Sequence, residues 1–359
     1  MAETLYRGRR ATSIENERLR VTVLHEGGHI AEILDKPSGV NPLWTPPWPS
    51  IEPSTYDRRT HPEYGADAES KLLSGIMGHN VCLDIFGGPS AEEAAAGLTV
   101  HGEAPVAAYE IAAGELELTQ RTRLPQSQLR FERRIRLAAG SAVVEITEAV
   151  ENETATDRPV AWTEHVTLGP PFLEKGATQF RASATKSKVF ETEFGKHGYL
   201  ETGATFDWPM APRPGHAGFA DLRVYTDAAV SGGFTTHLMD PHRDTAFFVA
   251  WSPRSRVAFG YVWRRADFPW LGIWEENHSR TAPPWNGQTL TRGMEFSASA
   301  MPETRRQMIE RGALFGVPAF RWIPARTRVE TRYRAAVGHS SRVPEALDWT
   351  ETGEVRFAG

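Results

Sequence analysis

Apolar and polar residues alternate along most of this chain, and the alternation recurs too often for helices to dominate. Leu19, Val21 and Val23 lie two apart, Gly27-Gly28 makes a turn, and residues 29–34 resume the pattern, so this stretch predicts a hairpin. Leu129, Phe131, Arg133 and Ile135 alternate before a Gly140-Ser141 turn, and Val144, Ile146, Glu148 and Val150 alternate after it. Further runs of period two occur at 181–189, 220–225, 246–251, 257–263, 269–274, 294–300 and 327–333. A helix is predicted over 304–315, with Thr304 as N-cap and Gly316 as stop, and a shorter helical turn over 91–97. Because strand follows strand without intervening helices, the expected fold is all-β, a large antiparallel β-sandwich with its sheets face to face. No repeat and no compositional shift divides the chain, so a single domain over 1–359 is expected. Residues 42–62 are crowded with Pro, Trp, Tyr and Ser and predict a long aromatic loop closing over a site.

Composition narrows the partners. A net charge of −5, with both signs scattered, supplies no basic footprint for nucleic acid and no polybasic patch for a membrane surface. The one cysteine, Cys82, cannot form an internal disulfide, and neither the N-terminal stretch nor any later segment has an apolar run resembling a signal or a membrane span. A cytoplasmic protein, monomeric or homodimeric, is the expectation. Eleven Trp, beside 31 Gly and 25 Pro, are enough to serve both the core and flat platforms on which a sugar ring could stack.

Three clusters could carry chemistry. In GLTVHGEAP, residues 97–105, His101 can hydrogen-bond a hydroxyl, and Gly102 lets another group approach closely. In WTEHVTLGPPFLE, residues 162–174, strand parity puts Val160, Trp162, Val166 and Leu168 on one face and Ala161, Thr163, His165 and Thr167 on the other, so His165 points away from the apolar side. In FPWLGIWEENHSRTAPPWNG, residues 268–287, Leu271 and Ile273 face the core while Trp270, Gly272, Trp274 and Glu276 share the opposite face; Glu275 follows Leu271 inward unless the strand has already ended. A fourth run, His237, Asp240, His242 and Asp244 in HLMDPHRD, holds possible metal ligands but suits a solvated turn better, and no metal or organic cofactor is expected.

The order of these features resembles the aldose 1-epimerase (galactose mutarotase-like) superfamily: an opening strand and hairpin, a His-Gly pair, FERRIRLAAGSAVVEITEAVENET leading into a strand with a single His, and a late strand ending in Glu. The resemblance covers nearly the whole chain. It implies a supersandwich with its site on a concave face, His165 as catalytic acid, Glu276 as catalytic base and His101 as a substrate ligand. From the residues themselves, Trp274 as a stacking face and Glu275 are further candidate substrate contacts, and Glu275 is the alternative to Glu276 as base. Where the family carries an Arg upstream of the His-Gly pair, this chain offers His79 and Asp84. The family's active-site Asp between the acid and base strands has several possible counterparts here: Asp221, Asp227, Asp240 and Asp244.

The implied reaction needs one proton removed from the anomeric hydroxyl and one delivered to the ring oxygen, which an imidazole and a carboxylate can do without metal or coenzyme. The substrate would be a small-molecule sugar, and the scarcity of Arg and Lys near the clusters, Arg280 apart, favours a neutral sugar or a uronate over a phosphosugar. A non-catalytic carbohydrate-binding protein of the same fold is the alternative. Hydrolysis of a glycoside would need two opposed carboxylates, and adjacent Glu275 and Glu276 fall on opposite faces of one strand.

Overall fold

A computed structural model of the chain describes residues 4–194, 197–350 and 352–359. Strands pair antiparallel throughout two large sheets. Among the described residues one sheet has twelve strands, and its centre runs, in spatial order, His79–Asp84, Arg158–Leu168, Leu290–Ser297, Trp270–Asn277 and Ser231–Met239. The other has eight, running from Gln179–Ala182 through Thr245–Trp251, Val257–Arg264, Arg328–His339, Val143–Asn152, Leu129–Leu137 and Glu117–Leu124 to Glu110–Ala113.

The side-chain period of two decides what lies between the sheets. Val160, Trp162, Val166 and Leu168 face inward from the first sheet and meet Leu129, Phe131, Ile146 and Tyr261 of the second in one continuous core. Trp263 stacks on Phe296 with ring centroids 4.5 Å apart. Each such aliphatic or aromatic side chain taken out of water stabilises the fold by about 1.5–3 kcal/mol. Arg133 keeps the inward parity of its strand and is buried with them, donating to Glu148, to Glu164 and to the Gly28 carbonyl.

Several boundaries differ from the sequence expectation. The helix expected over 304–315 spans only Arg305–Arg311; Thr304 caps it, but Gly312, at φ 64°, ends it, and Ala313–Leu314 then turns back against Val317–Pro318. Gly316 is therefore the tip of a hairpin, not the helix stop. The run at 181–189 is two strands, Gln179–Ala182 in the smaller sheet and Ala184–Val189 in the larger, with the chain crossing between sheets at Ser183. The run at 220–225 is a strand only over Phe219–Asp221. No helix among the described residues is long and apolar enough to cross a membrane.

The outward face of the larger sheet's centre is not open water. A second apolar cluster covers it: Trp274 projects from the sheet itself, and Trp44, Leu72, Leu73, Phe86 and Trp285 pack over it from loops and the short helix Ser70–Leu73, with Trp48 of the 42–62 loop against the same group. Between this roof and the sheet lies the candidate site.

Candidate active site

Three neighbouring strands lay the floor. The register pairs His165 with Glu295 across the first strand boundary and Glu295 with Gly272 across the next, so an imidazole, a carboxyl and a bare backbone stand in one row. His165 Nε2 lies 3.1 Å from Glu295 Oε1, and His165 Nδ1 is 3.0 Å from the Thr167 hydroxyl. His165 and Glu295 are 4% and 1% exposed. The His165–Glu295 contact is not aligned as a hydrogen bond, and the buried Glu295 Oε1 has no hydrogen-bond partner among the described residues. Burial pushes the Glu295 carboxyl well above the usual carboxylate range and the His165 imidazole well below its own. Both shifts favour the uncharged forms, a carboxylic acid beside a neutral imidazole.

His101 reaches the same hollow from a left-handed His101-Gly102 turn, with φ of 68° and 82°. A side chain at Gly102 would collide with the Leu83 carbonyl at 2.2 Å, so glycine is required there. The His101 ring centroid is 5.0 Å from that of His165. Its Nδ1–H donates to the Phe86 carbonyl, which fixes the tautomer. Burial lowers its pKa to about 4, so Nε2 remains an unprotonated acceptor near neutral pH.

Aromatic walls line a half-open hollow of about 140 Å³, smaller than the roughly 300–1,000 Å³ of drug-sized ligand sites and so suited only to a small ligand. Trp274, Trp285, Phe86 and Phe234 are among the lining residues. At the mouth, Arg280 lies 4.7 Å over the Trp285 ring and donates to both carboxylate oxygens of Glu69, at 3.0 and 3.2 Å.

The sequence-predicted residues divide. His165, His101 and Trp274 meet in the hollow. Glu276 does not project into it: the strand continues to Asn277, and the Glu276 carboxylate accepts from the Ser279 and Arg280 amides and the Ser279 hydroxyl, holding the turn that carries Arg280. Glu275 faces inward, as its parity requires within a strand of that length, and accepts from Arg292, Ser231 and Tyr199. His79 also lies between the sheets, with its ring nitrogens 3.0 Å from the Tyr261 hydroxyl and 2.9 Å from Glu164. Asp84 is buried, which alone would raise its pKa, but the guanidiniums of Arg305 and Arg158 outweigh burial and hold it below the ordinary value. None of Glu275, Glu276, His79 and Asp84 lines the hollow. Of the HLMDPHRD run, His237 bonds Ser187 and Thr235 in the interior, while Asp240 accepts from the His242 amide in a turn.

Glu295 is the residue that sequence reasoning missed. The signal was present: within 294–300, Met294 and Phe296 alternate with Glu295 and Ser297, so parity assigns Glu295 to the polar face just as it does His165.

Comparison with solved structures shows the same architecture. A Klebsiella pneumoniae protein provisionally named an aldose 1-epimerase superposes with a TM-score of 0.64 at 13% identity, over 93% of this chain and 80% of that one. A galactose mutarotase-like protein from Clostridium acetobutylicum gives 0.61 at 13% identity, over 94% and 98%. A galactose mutarotase related enzyme from Lactobacillus acidophilus gives 0.58 at 12% identity, over 92% and 98%. The fold is therefore the galactose mutarotase-like sandwich. No curated protein matches the chain. A family model does match, over residues 7–282, ending before the strand that carries Glu295, and by that match the chain belongs to the DUF4432 family, described as a domain of unknown function.

Proposed function

We propose that the protein interconverts the anomers of an aldose, with His165 and Glu295 as the proton-transfer pair. The observation that carries this reading is the buried His165–Glu295 contact of 3.1 Å at the floor of an aromatic-walled hollow, with one carboxyl oxygen left unpartnered. A neutral imidazole can take the proton of the anomeric hydroxyl while a carboxylic acid gives one to the ring oxygen. The ring opens to the aldehyde, the C1–C2 bond rotates, and closure on the other face returns both protons. The intermediate state is an imidazolium beside a carboxylate, an ion pair formed where burial strengthens the attraction. Burial thus favours the reverse of the roles implied by the sequence resemblance: here Glu295 is the acid and His165 the base. His101 Nε2 accepts from a sugar hydroxyl, and Trp274 and Trp285 offer faces to the C–H side of the ring.

Exchange NMR on a panel of aldoses tests the proposal. The wild type should accelerate anomer exchange for at least one sugar, and Glu295→Gln and His165→Ala should each lose about 10²–10⁴-fold of it. Binding of aldoses without acceleration by the wild type would replace the enzyme with a carbohydrate-binding protein.

A further inference from the structure

Gly293 and Gly272 sit in the middle of strands, where a glycine packs nothing and weakens the sheet. Neither has a positive φ, so no turn or backbone strain requires them. What each would strike, if it carried a Cβ, is specific. At Gly293 the new carbon would stand 2.2 Å from Glu295 Oε1 and 3.1 Å from its Cδ. At Gly272 it would stand 2.8 Å from the Phe234 ring and 3.3 Å from Glu295 Oε2. Gly293 precedes Glu295 by two residues on the same face, and Gly272 is its direct partner across the strand boundary. The carboxyl therefore lies flat along its own strand over Gly293, with its other oxygen over Gly272.

We infer that Gly293, assisted by Gly272, is a positioning residue that seats the Glu295 carboxyl and so fixes Oε1 beside His165. This rests on the proposed role of Glu295. At Gly293 the added carbon would meet Oε1 at 2.2 Å, with Cδ and Cγ at a tight 3.1 and 3.3 Å, so the carboxyl must swing out of this seat to make room. At Gly272 the nearest atom is the far end of a phenylalanine ring, which can move, so the effect there is smaller.

Gly293→Ala tests the inference in two backgrounds. In the wild type, kcat for anomer exchange should fall about 100-fold, the scale of an ångström-sized misplacement, with KM changed far less. In Glu295→Ala, which has no carboxyl to displace, adding Gly293→Ala should change kcat by less than about three-fold, because the two changes act through one group. The imidazole nitrogen NMR shifts of His165 should move in Gly293→Ala. Equal losses in both backgrounds, or kcat in the single variant close to wild type, would overturn the inference. If Gly293→Ala alone fails to fold while the double variant folds, the same contact is read through stability; failure of both would mean that the glycine serves something other than Glu295. Should the wild type show no anomer exchange, the functional reading falls separately, and the His165 shifts still decide whether Gly293 sets the carboxyl.

Discussion

Replacing Glu295 by Gln should make the protein more stable while disabling it, and the gain should depend on pH in a defined direction. Burial raises the folded-state pKa of Glu295 well above the ordinary 4.5. Between 4.5 and that raised value the folded protein keeps a proton that the unfolded chain has released, so stability falls as pH rises, by about 1.4 kcal/mol per unit. A glutamine of the same shape has no proton to lose, and its amide can donate toward His165 Nε2, 3.1 Å from the oxygen it replaces. The stability difference between variant and wild type should therefore widen by about 1.4 kcal/mol per pH unit from about pH 5 upward, for as long as the folded carboxyl keeps its proton. Urea unfolding at three or four pH values, with anomer exchange measured on the same samples, reads both consequences. Parallel stability curves for the two proteins would refute the reasoning, because they would mean that Glu295 is ionised in the folded state; a Glu295→Gln that is uniformly less stable would do the same.

Other changes separate the roles of neighbouring groups. Arg133→Met should cost about 3–5 kcal/mol, since it strips the guanidinium from Glu148 and Glu164 in the dry interior; burial, outweighing Arg133, already holds Glu148 at about 8, so the cost should widen above that pH, where the wild-type residue ionises and the variant's does not, and a cost flat with pH would contradict this. Glu276→Ala should lower kcat less than about ten-fold, because its carboxylate holds a turn and not a proton in flight; a loss as deep as that of Glu295→Gln would return the proton-transfer role to Glu276. Glu69→Gln removes the nearer of the two carboxylates beside Arg280, leaving Glu276 at 3.7 Å, and should raise affinity for a hexuronate relative to the neutral aldose about five-fold, the ~1 kcal/mol scale of a part-exposed pair, measurable by tryptophan fluorescence titration. An unchanged ratio would show that Glu69 does not compete for the guanidinium.

The sandwich was legible because both large sheets have one face against a core, and burial on one face writes itself as alternation in sequence. Trp162 inward and His165 outward follow from counting residues along one strand. The same counting assigns Glu295, but a single carboxylate between Met294 and Phe296 looks like ordinary surface until the register brings it opposite His165. Glu276 was harder to place for a different reason: its parity is outward, yet local amides at 279 and 280 claim its oxygens, and a turn following a strand leaves little mark in sequence. His79 and Asp84 are both inside networks built from distant arginines, tyrosines and carboxylates, whose meeting depends on tertiary packing alone. The aromatic loop at 42–62 is marked by its composition; Trp44 and Trp48 pack against Trp285, behind the wall of the hollow, and do not themselves line it.

A crystal structure of Glu295→Gln soaked with an equilibrium mixture of aldose anomers tests the central claim most directly. The account predicts a pyranose ring against Trp274 and Trp285, with its anomeric hydroxyl within hydrogen-bond reach of His165 Nε2 and its ring oxygen facing the residue-295 amide. A sugar bound elsewhere on the sheet, or one in this hollow with its anomeric carbon turned away from His165, would contradict it.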